Sequence, residues 1–182
     1  AAHLTLDAVS AKAGLSKGGL LYHFRTKDAL LEAMLVRLRE TFTEARKTEA
    51  AKLPEGPAQA LKAHILSSEF FQGSRLKGIG AALLAAGAHD PKLLIPAREA
   101  RDALIKELNT SRLPAEFTAI SLLALEGLWI LELLGMIEPG REERRAITSE
   151  LLRLVDVEEA RLLAAQGDAT TGKIDGPLKD KS

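Results

Sequence analysis

The residues best equipped for chemistry fall in one stretch, Thr5 to Leu31, which reads TLDAVSAKAGLSKGGLLYHFRTKDALL. Residues 1–27 hold Lys12, Lys17, Arg25 and Lys27 against Asp7 alone, a local charge of +3. The whole chain carries 25 basic and 25 acidic residues, so the remainder is −3. A small basic head thus sits on a mildly acidic body. Contacts to phosphate supply most of the sequence-independent affinity for nucleic acid, and they need such a local patch. Taken singly these residues say little. A Tyr22-His23-Phe24 run on a helix is usually core plus partly exposed rings, and a lone Lys17 is usually a solvated charge. The ordered set carries the signal.

Other chemistries find no footing. The sequence shows no Ser-His-Asp order, no paired-carboxylate motif and no Gly-rich phosphate loop. Cysteine is absent, so there is no disulfide framework, thiolate metal site or Cys nucleophile. His3, His64 and His89 lack a His or carboxylate partner at metal-ligand spacing. No metal, no cofactor and no enzymatic activity are expected.

The elements that must position the basic residues are helices. Of 182 residues 46% are apolar, 27% charged and only 4% aromatic, a globular composition long enough for a real core. Apolar residues recur at three and four positions, and the expected fold class is all-α. Thr5 stands where an N-cap would, before Leu6, Val9 and Ala13; Gly14 ends that short helix, and Ser16 can cap the next, KGGLLYHF. Ala8 and Ala11 are small enough for close helix approach. Leu20 and Phe24, four apart, can share a buried face, which leaves Lys17, Leu21, Tyr22 and His23 to point elsewhere. Two short helices joined by a Gly-containing turn suit helix-turn-helix geometry. Thr26 can cap a long helix over about Lys27–Lys52, where Leu30, Met34, Leu38, Phe42 and Ala45 draw an apolar stripe widened by Leu31 and Leu35. Further helices are predicted over roughly 58–72, 76–88, 91–109, 116–136 and 141–166. Pro91, Pro114 and Pro139 punctuate them. From Asp168 the composition turns polar, and a disordered tail is expected.

The stretch Phe117 to Ile137 is long enough to cross a bilayer, but it contains Glu126 and Glu132 on different helix faces. Each mid-bilayer carboxylate costs about 2.5–3.5 kcal/mol, so a helix buried between its own core and a partner chain is expected, with no membrane span. The opening AAHLTLDAVS lacks a signal-peptide pattern, and a cytoplasmic location is the default expectation.

The run from Thr5 to Leu31 resembles, without a gap, the DNA-binding signature of TetR-type transcriptional regulators. The resemblance implies an N-terminal helix-turn-helix head joined by a long helix to a C-terminal helical ligand-binding and dimerisation domain. It divides the chain into residues 1–45 (head and connecting helix), 46–167 (body) and 168–182 (tail). It also implies contact roles. Thr5 matches a cap residue that touches phosphate. Ser16 and Lys17 match the start of the recognition helix, and Gly18 and Gly19 allow close backbone approach to the groove. Tyr22 and His23 match positions that contact phosphate or bases, and Lys27 matches a phosphate anchor. Leu21 stands where many members have Tyr, and is expected to touch a thymine methyl. The family has a full helix before these two, of which this sequence holds only the trailing end. Upstream residues are expected to supply it.

For the body the sequence offers weaker pointers. Its many small residues, Gly78, Gly80, Ala81, Ala82, Ala85, Ala86 and Gly87 among them, suit close helix packing or a ligand void. Ligand-binding guesses are His64, Ser68, Phe71, Asn109, Glu126 and Trp129. Leu122, Leu125, Trp129 and Leu133, with Ile147, Leu151, Leu154, Val155 and Leu162, make residues 116–136 and 141–166 the expected homodimer interface. The function expected is a ligand-responsive repressor. It would bind a palindromic double-stranded operator as a dimer and be released by a small apolar or amphipathic effector. The alternative is a helical dimer that binds a small molecule without DNA.

Overall fold

The structure, a computed structural model, describes residues 5–72 and 74–171, with side chains placed for 5–70 and 78–166. Among the described residues every regular element is helical. Three helices open the chain: α1 Leu6–Ala13, α2 Lys17–His23 and α3 Lys27–Ala50. Each is started by a hydroxyl that satisfies an orphan N–H of the first turn. Thr5 Oγ1 accepts from Ala8 N at 3.1 Å, Ser16 Oγ from Gly19 N at 3.0 Å, and Thr26 Oγ1 from Ala29 N at 3.1 Å. Gly14 takes the left-handed conformation with φ 67° and turns the chain between α1 and α2. Ala8 and Ala11 do not serve a close helix approach; both are exposed, and α1 turns Ser10 inward instead.

The body follows as α4 Gln59–Ser67, α5 Ser74–His89, α6 Ile95–Asn109, α7 Ala115–Leu133 and α8 Arg141–Thr171. Two boundaries differ from the periodicity for local reasons. α4 gives way to a 3-10 turn at Ser68–Gln72, because the Ser67 and Ser68 hydroxyls donate back to the carbonyls of His64 and Ile65 at 2.8 and 2.6 Å. α6 is preceded by a 3-10 turn, Pro91–Leu94, capped by Asp90 Oδ1 accepting from Lys92 N. α8 runs on through Thr171, four residues into the segment expected to be disordered. The rest of that segment, 172–182, lies outside the described residues.

Two apolar clusters hold these helices. Leu31, Leu35 and Leu38 of α3 meet Leu83 and Ala86 of α5, flanked by Met34, Phe42, Ile79 and Trp129. Leu61 and Ile65 of α4, Leu104 and Leu108 of α6, Leu122 and Leu125 of α7 and Val155 of α8 make the second. Full burial of each such side chain is worth about 1.5–3 kcal/mol. The small residues of α5 serve close packing at two points. A Cβ on Gly80 would lie 3.2 Å from Leu133, and one on Gly87 would collide with the Leu94 side chain. The half of α3 that follows the head is thus packed on the body core. No helix among the described residues is long and apolar enough to cross a membrane.

Candidate nucleic-acid interface

The caps bring the polar residues of the head to one place. Lys17 is the first residue of α2, and its Nζ lies 2.9 Å from Asp7 Oδ1 in the first turn of α1. That bridge sets the N-termini of α1 and α2 side by side. Helix N-termini carry partial positive charge and free N–H groups, both suited to phosphate. Gly18 meets nothing within 4 Å of an added Cβ, so the recognition helix presents bare backbone there. Gly19 instead is tucked against its own cap, where a Cβ would sit 3.1 Å from Ser16 Oγ.

Tyr22 is 84% exposed, and its ring stands edge-on to the exposed His23 with centroids 5.2 Å apart. Leu20 is buried and Phe24 half-buried, as the spacing predicts. Leu21 is half-buried too, one residue round the helix from Leu20, so it does not project freely toward a thymine methyl. Thr5 and Ser16 are exposed, their oxygens already occupied as caps. Lys27 opens α3, half-buried. Beside the head an apolar groove of about 210 Å³ runs between Phe24, Leu30, Ala33, Met34, Leu38 and Ile79.

Five of the six ligand guesses have described side chains. His64 lies near Arg46, half-buried, with Nδ1 itself out of water and unpartnered among the described residues. Burial, helped by the Arg46 charge, pushes its imidazole down to about 4. Ser68 is buried and bonded to Ile65 O. Glu126 pairs with Arg101 at 3.2 Å, Asn109 is exposed at the end of α6, and Trp129 stands edge-on to Phe42. The Phe71 side chain lies outside the described residues. Among the described side chains, none of these five lines the head groove or a second cleft, of about 390 Å³, bordered by Gln59, Thr110, Ser111, Arg112 and Gln166.

Part of the stripe expected at the dimer interface is spent inside the chain. Leu122 and Leu125 are core residues, and Trp129 and Leu133 pack against α5. The face left open carries Ile120, Leu123, Ile130 and Leu134. On α8, Ile147 and Leu154 are exposed as expected and Val157 joins them, while Val155 is fully buried. The signal was available: these four α7 residues also repeat at helical spacing, on the opposite side.

The comparisons with known proteins agree with this geometry. Residues 1–34 match the family model for bacterial regulatory proteins of the tetR family. Residues 58–156 match the model for the tetracyclin repressor-like C-terminal domain. A solved structure from Rhodococcus sp., of a protein assigned to the TetR-family transcriptional regulators, shares the fold. Its TM-score is 0.66 at 21% identity, over 87% of this chain and 89% of that one. No curated protein is a significant match. The C-terminal model spans more than half of the chain and the N-terminal model spans the helix-turn-helix, so the chain belongs to the TetR family of bacterial transcriptional regulators, DNA-binding proteins rather than enzymes.

Proposed function

We propose that the chain is a ligand-responsive repressor that grips a palindromic operator as a homodimer. The observation that carries the DNA contacts is the exposed, unpacked edge of the head: Tyr22 and His23 beside Lys17 and the bare backbone of Gly18. Lys17, Lys27 and the N-termini capped by Thr5 and Ser16 hold phosphates. Gly18 and Gly19 let α2 approach the major groove, and Tyr22 and His23 reach phosphate or base edges. Leu21 serves the head's interior.

One observation supports the dimer. The open faces of α7 and α8 each expose several large apolar residues, which in water calls for a partner. A two-fold copy brings two heads to successive major grooves, ~34–36 Å apart. An effector that favours splayed heads releases the operator by shifting populations, since α3 runs from head to core. His64 and Trp129, both against α3, are the body residues placed to feel such a molecule.

The test is fluorescence anisotropy on the DNA upstream of the protein's own gene, against a scrambled duplex, with the full chain as encoded. Lys17→Ala with Tyr22→Ala is expected to abolish preference for the upstream duplex. Equal weak binding to both duplexes by the unaltered protein would defeat the operator reading. Leu123→Glu with Ile130→Glu is expected to leave a folded monomer by light scattering and to weaken operator binding at least tenfold.

A further inference from the structure

We propose that Asp7 tempers the affinity for DNA: by holding Lys17 it withholds one cation from the phosphate backbone. The inference rests on the DNA-binding reading above. Asp7 is the sole acid among residues 1–27, and it is spent on one of the four cations there. Both carboxylate oxygens reach Lys17 Nζ, at 2.9 and 3.2 Å. The pair spans ten residues across the Gly14 turn and joins the first turn of α1 to the first residue of the recognition helix.

The placement does not suit a stability device. Each side chain keeps about two-thirds of its surface in water, 65% for Lys17 and 66% for Asp7. Exposed pairs of this kind add little to folding. Gly18 beside Lys17 offers no side chain to prop it. The bridge therefore fixes where one ammonium points in the free protein, at a contact that water and ions can replace.

The Asp7 carboxylate competes with phosphate for Lys17 and itself faces a polyanion. Lys17 held on Asp7 leaves one phosphate unneutralised. Both effects oppose binding, and both act through charge rather than base sequence.

The experiment is a salt series of anisotropy titrations on a labelled random-sequence duplex, with the full chain as encoded and its Asp7→Asn, Lys17→Ala and doubly substituted forms. Asn keeps the shape of Asp and removes the charge. Asp7→Asn is expected to tighten binding and to steepen the slope of log affinity against log salt by about 0.9, one more phosphate neutralised. Its advantage over the unaltered protein should therefore shrink roughly 3- to 4-fold between about 50 and 200 mM salt. With Lys17→Ala already present, Asp7→Asn should leave the slope unchanged. A helix-stabilising role for Asp7 would move the unfolding midpoint and leave the slope where it was. An unchanged slope in Asp7→Asn overturns the proposal, as does the same steepening with and without Lys17. If the unaltered chain binds no duplex at any salt, the DNA-binding reading itself fails and this inference goes with it.

Discussion

His64 shows what one half-buried side chain does to the whole. It sits on α4 with Nδ1 out of water and unpartnered, near the Arg46 guanidinium. Burial first, and the like charge second, lower its pKa from 6.5 to about 4. The folded protein therefore holds the neutral ring while the unfolded chain takes up a proton near pH 6.5. Between these values the unfolded state binds more protons, so stability rises with pH. The contribution is complete above pH 6.5 and is lost as pH falls toward 4, about 3 kcal/mol in all. Urea midpoints measured at pH 7 and at about pH 4.5 should differ more for the unaltered protein than for His64→Gln. Parallel midpoints in the two proteins would mean that His64 is hydrated in solution. The caps belong to the same scale and were the most legible part of the site. Thr5, Ser16 and Thr26 act within three residues of themselves, so the sequence alone locates them. The Asp7–Lys17 bridge crosses ten residues and depends on how α1 meets α2, so no local pattern announces it.

Among the elements, the hairpin of α7 and α8 is fixed by a buried ion pair. Arg144 in the first turn of α8 bonds Glu132 in the last turn of α7, and both are almost fully enclosed. Arg144 Nη2 also donates to Ser68 O at 3.3 Å, where α4 breaks into its 3-10 turn. One guanidinium thus ties the proposed dimer helices to the joint between α4 and α5. Arg144→Met leaves Glu132 charged and enclosed, and thermal or urea unfolding should show a loss of about 3–5 kcal/mol. Replacing the pair together, Glu132→Leu with Arg144→Met, should recover most of that loss, because two apolar groups need no compensation. Failure of the double variant to recover would mean that the bond to Ser68 O carries the energy. The helix that holds Glu132 was also the hardest to read. α7 is apolar on both sides, so its spacing gives two equally good stripes and nothing local says which one meets α5. The interior settled it: Gly80 admits Trp129 and Leu133, which turns Ile120, Leu123, Ile130 and Leu134 outward. A ligand pocket is hard to read for a related reason: it is set by where helices cross, and residues from α4, α6 and α7 carry no record of that in their order.

At the scale of the whole molecule, a regulator with one small head per chain gains its selectivity from geometry more than from any single contact. α3 is a continuous helix of 24 residues, capped by Thr26 at the head and carrying Leu31, Leu35 and Leu38 into the core. On the proposed reading it acts as a lever, so that the separation of the heads in the dimer would follow the packing of the body. Two recognition helices set one helical turn apart read half-sites on the same side of the duplex. Inserting about 5 base pairs between the half-sites carries one of them to the opposite side, roughly half a turn of B-DNA. The stiff α3 cannot follow, so the second head loses its base contacts. Binding by one head alone should remain, with affinity close to that of a scrambled duplex and with a shallower salt slope, since fewer phosphates are neutralised. Footprinting on the native and the lengthened operator, followed by anisotropy over a salt series, checks both parts. If the lengthened operator binds as tightly as the native one, the heads move independently, and an effector could not release DNA by changing the distance between them.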